Sequence, residues 1–184
     1  IHFLFILFPI ATMSQETKIQ LTEKVSISFP EKPDVRNMQG IASIYSLKLA
    51  DSTANFNVVV QNLEKSNSLT AEMIETAQLD PSFWEQLESS YIGQLGSETK
   101  VLSREIKKIS SKDVLSLVLT TQRGGNKVEL SSYLFTHGVY SVNIVHSKRN
   151  DNASVELKNK FFTSLNNSSI SDLLGITFLA AFAV

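Results

Sequence analysis

The sequence predicts an α+β domain in which a twisted antiparallel sheet is flanked by helices. Apolar residues alternate with polar ones in two blocks, one before residue 62 and one after residue 100, as strands with two unlike faces require. Between the blocks the apolar spacing widens to three and four residues, which marks one face of a helix. Strands, helices, a meander and a closing helix is the order of an α+β fold rather than of repeated βαβ units.

The elements follow in order. Val25, Ile27 and Phe29 alternate with Ser26 and Ser28, a strand with one wet face that Pro30 ends. Tyr45, Leu47 and Leu49, then Phe56, Val58 and Val60, form two such rows around Asp51-Ser52-Thr53, which predicts an antiparallel hairpin. Asn67 to Thr70 offers capping groups before Met73, Ile74 and Ala77. Asp80-Pro81 is a sharper start, because Asp accepts orphan amide hydrogen bonds and Pro needs no partner for a missing N–H. Trp84, Leu87, Tyr91 and Leu95 then share one helical face up to Gly96. Val101 to Ile109 predicts a strand with a basic face, and Leu115, Leu117 and Leu119 an inward row. Gly124-Gly125-Asn126 turns the chain into Val128, Leu130 and Ser132, and Thr136-His137-Gly138 turns it again into Tyr140, Val142 and Ile144. Asp151-Asn152 is expected to cap a last helix carrying Leu157, Phe161 and Leu165 on one side, with Phe162 beside them.

One domain is expected over residues 15–169, since no repeat, low-complexity tract or linker divides it. Residues 1–14 read as a signal peptide lacking its basic start: the apolar stretch is too short to span a bilayer and small residues follow it. That predicts export to the periplasm or cell envelope. Met13 as the true start, with a cytoplasmic protein, is the alternative. Residues 170–184 turn apolar from Leu173, and Leu173–Val184 is expected to be a membrane anchor cut short. A final element packed on the domain and a frame artefact compete with that reading.

Composition narrows the chemistry. The absence of Cys excludes disulfides, thiolate catalysis and Cys-ligated zinc. A net charge of −1 leaves no electrostatic footprint for nucleic acid. Outside the leader only His137 and His146 remain, on the two arms of one hairpin and without metal-ligand spacing, so they read as solvated turn and strand-end residues. Ser131 or Ser132 with His137 and Asp113 makes a triad only on paper, because no nucleophile-elbow motif is present. Glu85 and Glu88 read as the solvated flank of a helix, and Arg104, Lys107, Lys108 and Lys112 as strand charges split over two faces. No catalytic residue, metal site or cofactor is expected. Phe83 widens the stripe beside Trp84, which makes the pair the one expected partner-binding patch.

The strand ending in Phe29-Pro30, the mid-chain helices, the meander and the Phe-rich closing helix together resemble the PsbP/Mog1-like family. Gly138-Val139-Tyr140 and Phe161-Phe162-Thr163-Ser164-Leu165 are the local features of that resemblance, which spans about residues 18–166. It implies an αβα sandwich used mainly to bind and help assemble other proteins. The leading expectation is therefore an exported, non-enzymatic module that binds an unidentified protein partner. A small-ligand or lipid-binding module with a pocket between sheet and helices comes second. A hydrolase whose site no motif reveals comes third.

Overall fold

A computed structural model describes residues 16–51, 53–148 and 155–167; the expected leader (1–14), the cap Asp151-Asn152 and the apolar tail (170–184) lie outside them. The described strands are β1 (Thr17–Gln20), β2 (Val25–Phe29), β3 (Asp34–Met38), β4 (Ala42–Lys48), β5 (Ala54–Asn62), β6 (Lys100–Ile109), β7 (Lys112–Arg123), β8 (Asn126–His137), β9 (Tyr140–Lys148) and β10 (Asn166–Asn167). The helices are α1 (Leu63–Asn67), α2 (Ala71–Gln78), α3 (Pro81–Leu95) and α4 (Val155–Thr163). Seven strands form one antiparallel sheet in the order β3-β4-β5-β9-β8-β7-β6, and β1-β2-β10 form a small second sheet. The α+β class is as the sequence predicts.

Local signals fix most element ends. Thr70 accepts from the Met73 amide and Asp80 from the Ser82 amide, so both expected caps are real. Gly124 and Gly125, with φ of 58° and 78°, form a two-residue turn whose twist suits the β7–β8 hairpin. The Asp51 carboxylate accepts from the Thr53 amide and hydroxyl at 2.9 and 2.8 Å, closing the β4–β5 turn; these bonds hold its pKa below the usual carboxylate value.

The main sheet has two unlike faces, each covered by a different layer. On one face Phe56, Val58, Val60, Val142 and Ile144 pack against Val25, Ile27 and Phe29 of the small sheet and Phe161 and Phe162 of α4. Phe161 is central: its ring meets Phe29 and Phe56 edge-on at 5.1 and 4.9 Å. On the other face Leu115, Leu117, Leu119, Leu130 and Leu134 pack against Trp84 and Tyr91 of α3. The covers are offset. The small sheet and α4 close the β4–β5–β9 half of one face, whereas α3 closes the β7–β8 half of the other.

Several expectations shift. Ser26, placed on a wet face by alternation, is only 5% exposed because β10 pairs alongside it and β2 belongs to a covered second sheet. The last turn is Gly138-Val139; His137 is the final residue of β8, paired with Tyr140. Leu165 lies beyond the end of α4 yet is buried beside Phe161 and Phe162. β1, β3 and α1 carry no clear apolar row and give no signal in the sequence.

Candidate functional site

The sequence-derived candidates scatter over the fold. Trp84 is 6% exposed and belongs to the core under α3, while half-buried Phe83 meets its ring edge-on at 5.1 Å. Any partner surface there rests on the outer edge of Phe83 alone. Glu88 is not a free solvated acid: it takes a 2.6 Å ion pair from Arg104 of β6, whereas Glu85 is exposed. Lys107 points to the opposite face from Arg104, donates to the Tyr133 hydroxyl at 2.5 Å and stands 4.2 Å from that ring's centroid. Lys108 pairs with Asp113 at 3.5 Å.

The paper triad is not assembled. Ser132 faces α3, where its hydroxyl shares a 2.8 Å hydrogen bond with the Tyr91 phenol, and burial pushes the phenol pKa up. Asp113 is held at the far edge by Lys108. His137 pairs with Tyr140, and His146 with Ser131, so the two imidazoles stand roughly 20 Å apart along the hairpin. Among the described residues no three His, Asp or Glu side chains gather as metal ligands. No described helix is long and apolar enough to cross a membrane.

His146 departs most from its expected place. It sits within β9 rather than at a solvated strand end, is 3% exposed, and meets the Phe56 ring edge-on at 5.1 Å. Its Nε2 has no hydrogen-bond partner. Burial, then the positive charges of Lys158 and Lys148, lower its pKa to about 4, so the buried ring is neutral at pH 7. The period-2 row Val142, Ile144, His146 runs through it, and that row is the signal that could have found its burial.

Beside this histidine lies a cavity of about 340 Å3 between α4 and the β7–β8 part of the sheet. It opens where the small sheet no longer covers that face. Ser116 and Val118 of β7 and Ser131 of β8 line its floor, and Tyr133 and Phe162 stand at one side with ring centroids 4.3 Å apart. Lys107 fixes the Tyr133 hydroxyl from the edge strand, so this aromatic wall is pre-positioned. Lys158, Asn159 and Thr163 line the cavity from α4. Lys158 is half-buried and is the one charged side chain among the described lining residues; it makes no ion pair with any described residue. Glu105, whose Cα pairs with that of Ser116, is the exposed acid of the adjoining edge strand. The arrangement offers an ammonium, hydroxyl donors and an aromatic wall in one concavity. Sequence reading missed it because Lys158, Ser116 and Ser131 come from three separate elements.

No protein-family description matches the chain, and no curated protein is significantly similar to it. Solved structures are. The solution structure of cyanobacterial PsbP from Synechocystis sp. PCC 6803 matches with a TM-score of 0.54 at 11% identity, over 86% of this chain and 95% of that one. A protein of unknown function, described as a putative regulator, from Pseudomonas aeruginosa matches at 0.46 and 14% identity, over 84% of this chain and 98% of that one. A protein from Bacteroides thetaiotaomicron matches at 0.47 and 12% identity over 86% of this chain, which spans only 50% of that protein's length. The chain thus has a PsbP-like fold, as the resemblance in its sequence implies, and at such identities the likeness concerns fold alone.

Proposed function

We propose that the chain is a non-enzymatic binding module that holds a small organic anion between α4 and the sheet. The carrying observation is the Lys158 ammonium, half-buried and without a carboxylate partner among the described residues, over a cavity walled by Tyr133 and Phe162. A volume of about 340 Å3 falls within the range of roughly 300–1,000 Å3 usual for small-molecule sites. Tyr133 and Phe162 supply an apolar surface for a ring or short chain, and Ser116 and Ser131 supply donors to an anionic head group. An anion there replaces Lys158's lost water with a charge-assisted hydrogen bond, which a neutral ligand cannot do to the same extent.

Isothermal calorimetry with phenyl phosphate, benzoate and neutral benzyl alcohol tests this. Both anions should bind, and Lys158→Ala should weaken them about tenfold, the effect of roughly 1.4 kcal/mol. The far-UV circular dichroism should be unchanged, because Lys158 is only half-buried and makes no ion pair with any described residue. Equal binding of benzyl alcohol, or no effect of Lys158→Ala, contradicts the proposal.

A further inference from the structure

The opposite face of the sheet carries a second concavity of different chemistry. Along β5 the residues facing α4 are all buried, whereas Asn55, Asn57, Val59 and Gln61, facing the other way, are only half-buried. β9 continues this half-covered surface, setting Ser141 opposite Gln61 and Asn143 opposite Val59. α3 covers β7 and β8, anchored to β8 by the Tyr91–Ser132 hydrogen bond, and reaches only Asn143 and Val145 of β9; along that side it leaves a cavity of about 150 Å3. Leu87, Ser90 and Gln94 of α3 form one wall; Val59, Gln61, Ser141 and Asn143 form the floor.

We propose that this cavity is a second ligand site, independent of the first, that takes one ring of a neutral sugar or polyol. Three features select that chemistry. Among the described residues every lining side chain is uncharged, so an ionic ligand would lose its hydration without gaining a counter-charge. Gln61, Gln94 and Asn143 bring side-chain amides to the lining; Gln61 Nε2 already donates to the Ser66 hydroxyl at 3.0 Å and Asn143 lies against the Tyr91 phenol, and the amide groups left over match hydroxyls that both give and take hydrogen bonds. Val59, Leu87 and Leu134 provide the apolar patch on which the C–H face of a ring rests. Size sets the limit: at about 30 Å3 per molecule the space equals roughly five waters, enough for one ring and too small for a drug-sized ligand.

The test is a titration of the full chain with glucose, galactose and N-acetylglucosamine, followed through the side-chain amide resonances of Gln61, Gln94 and Asn143. At least one sugar should give saturable shifts there, with a Kd on the order of millimolar. Asn143→Ala, which removes one amide from the cavity floor, should weaken this binding about tenfold. Ser90→Phe approaches from an exposed helix position and should abolish binding by filling the cavity, which guards against loss of fold in the sheet variant. Lys158→Ala should leave the sugar shifts unchanged. No saturable shift with any of the three sugars, or shifts that persist in both Asn143→Ala and Ser90→Phe, overturns the proposal and leaves the cavity as a water-filled cleft.

Discussion

The two faces of β5 are made from neighbouring residues, yet they do opposite things. Ala54, Phe56, Val58, Val60 and Asn62 are all buried under the small sheet and α4, while Asn55, Asn57, Val59 and Gln61 stay half-buried and mostly polar. On β7 and β8 the preference reverses. There Leu115, Leu117, Leu119 and Leu130 are sealed under α3, and Ser116, Val118 and Tyr133 on the other side are left partly open. Because the covers are offset, each face is closed over one half and open over the other. The closed halves hold the fold together; the two open halves are where α4 and α3 leave concavities of about 340 and 150 Å3.

The largest effect should come from the closed half under α4. Phe161→Ala removes the ring that joins Phe29 and Phe56 and should cost about 3–5 kcal/mol, read from urea unfolding curves. Asn57→Ala, one strand position from Phe56 but on the open half, should change stability by no more than about 0.5 kcal/mol. Similar costs for the two would erase the distinction between closed and open halves.

Acid should find the same closed half. His146 has its pKa lowered to about 4 from 6.5, so the unfolded chain binds a proton over this interval that the folded protein refuses. Stability should be full above pH 6.5, fall as pH drops, and level off for this group near pH 4, a loss on the order of 2–3 kcal/mol. Urea midpoints at pH 7 and pH 4.5 measure it, and His146→Leu should flatten the difference. An unchanged slope in that variant would place the acid sensitivity elsewhere.

On the α3 side smaller effects are expected. Tyr91→Phe strands the buried Ser132 hydroxyl and should cost about 1–3 kcal/mol by thermal denaturation, with Tyr91→Phe/Ser132→Ala recovering part of it. The Arg104–Glu88 pair ties the exposed edge strand to α3 with one side chain well exposed; a double-mutant cycle should return only about 0.2–1 kcal/mol.

How much of this was legible follows from which interactions are local. Thr70, Asp80-Pro81 and Gly124-Gly125 act within a few residues of themselves, so the helix starts and the hairpin turn could be read directly. The leucine row of β7 and the Trp84–Tyr91 stripe announced which residues are core. Ser26 could not be placed, because its burial depends on β10 arriving from the far end of the chain, whereas His146 continues the buried row of Val142 and Ile144 and was legible there. β3 was invisible because an all-exposed edge strand needs no apolar pattern. The cavities were illegible for a related reason: they are defined by where covering layers stop, and no local pattern encodes that.

If the open half beside α4 is the anion site, the open half beside α3 should take no anion. An amide and methyl NMR titration with phenyl phosphate reads both at once. Saturable shifts at Val118, Ser131, Tyr133 and Lys158, absent at Gln61, Ser141 and Asn143 and weakened about tenfold by Lys158→Ala, are the predicted result. Shifts centred on Asn143, or shifts indifferent to Lys158→Ala, would contradict it.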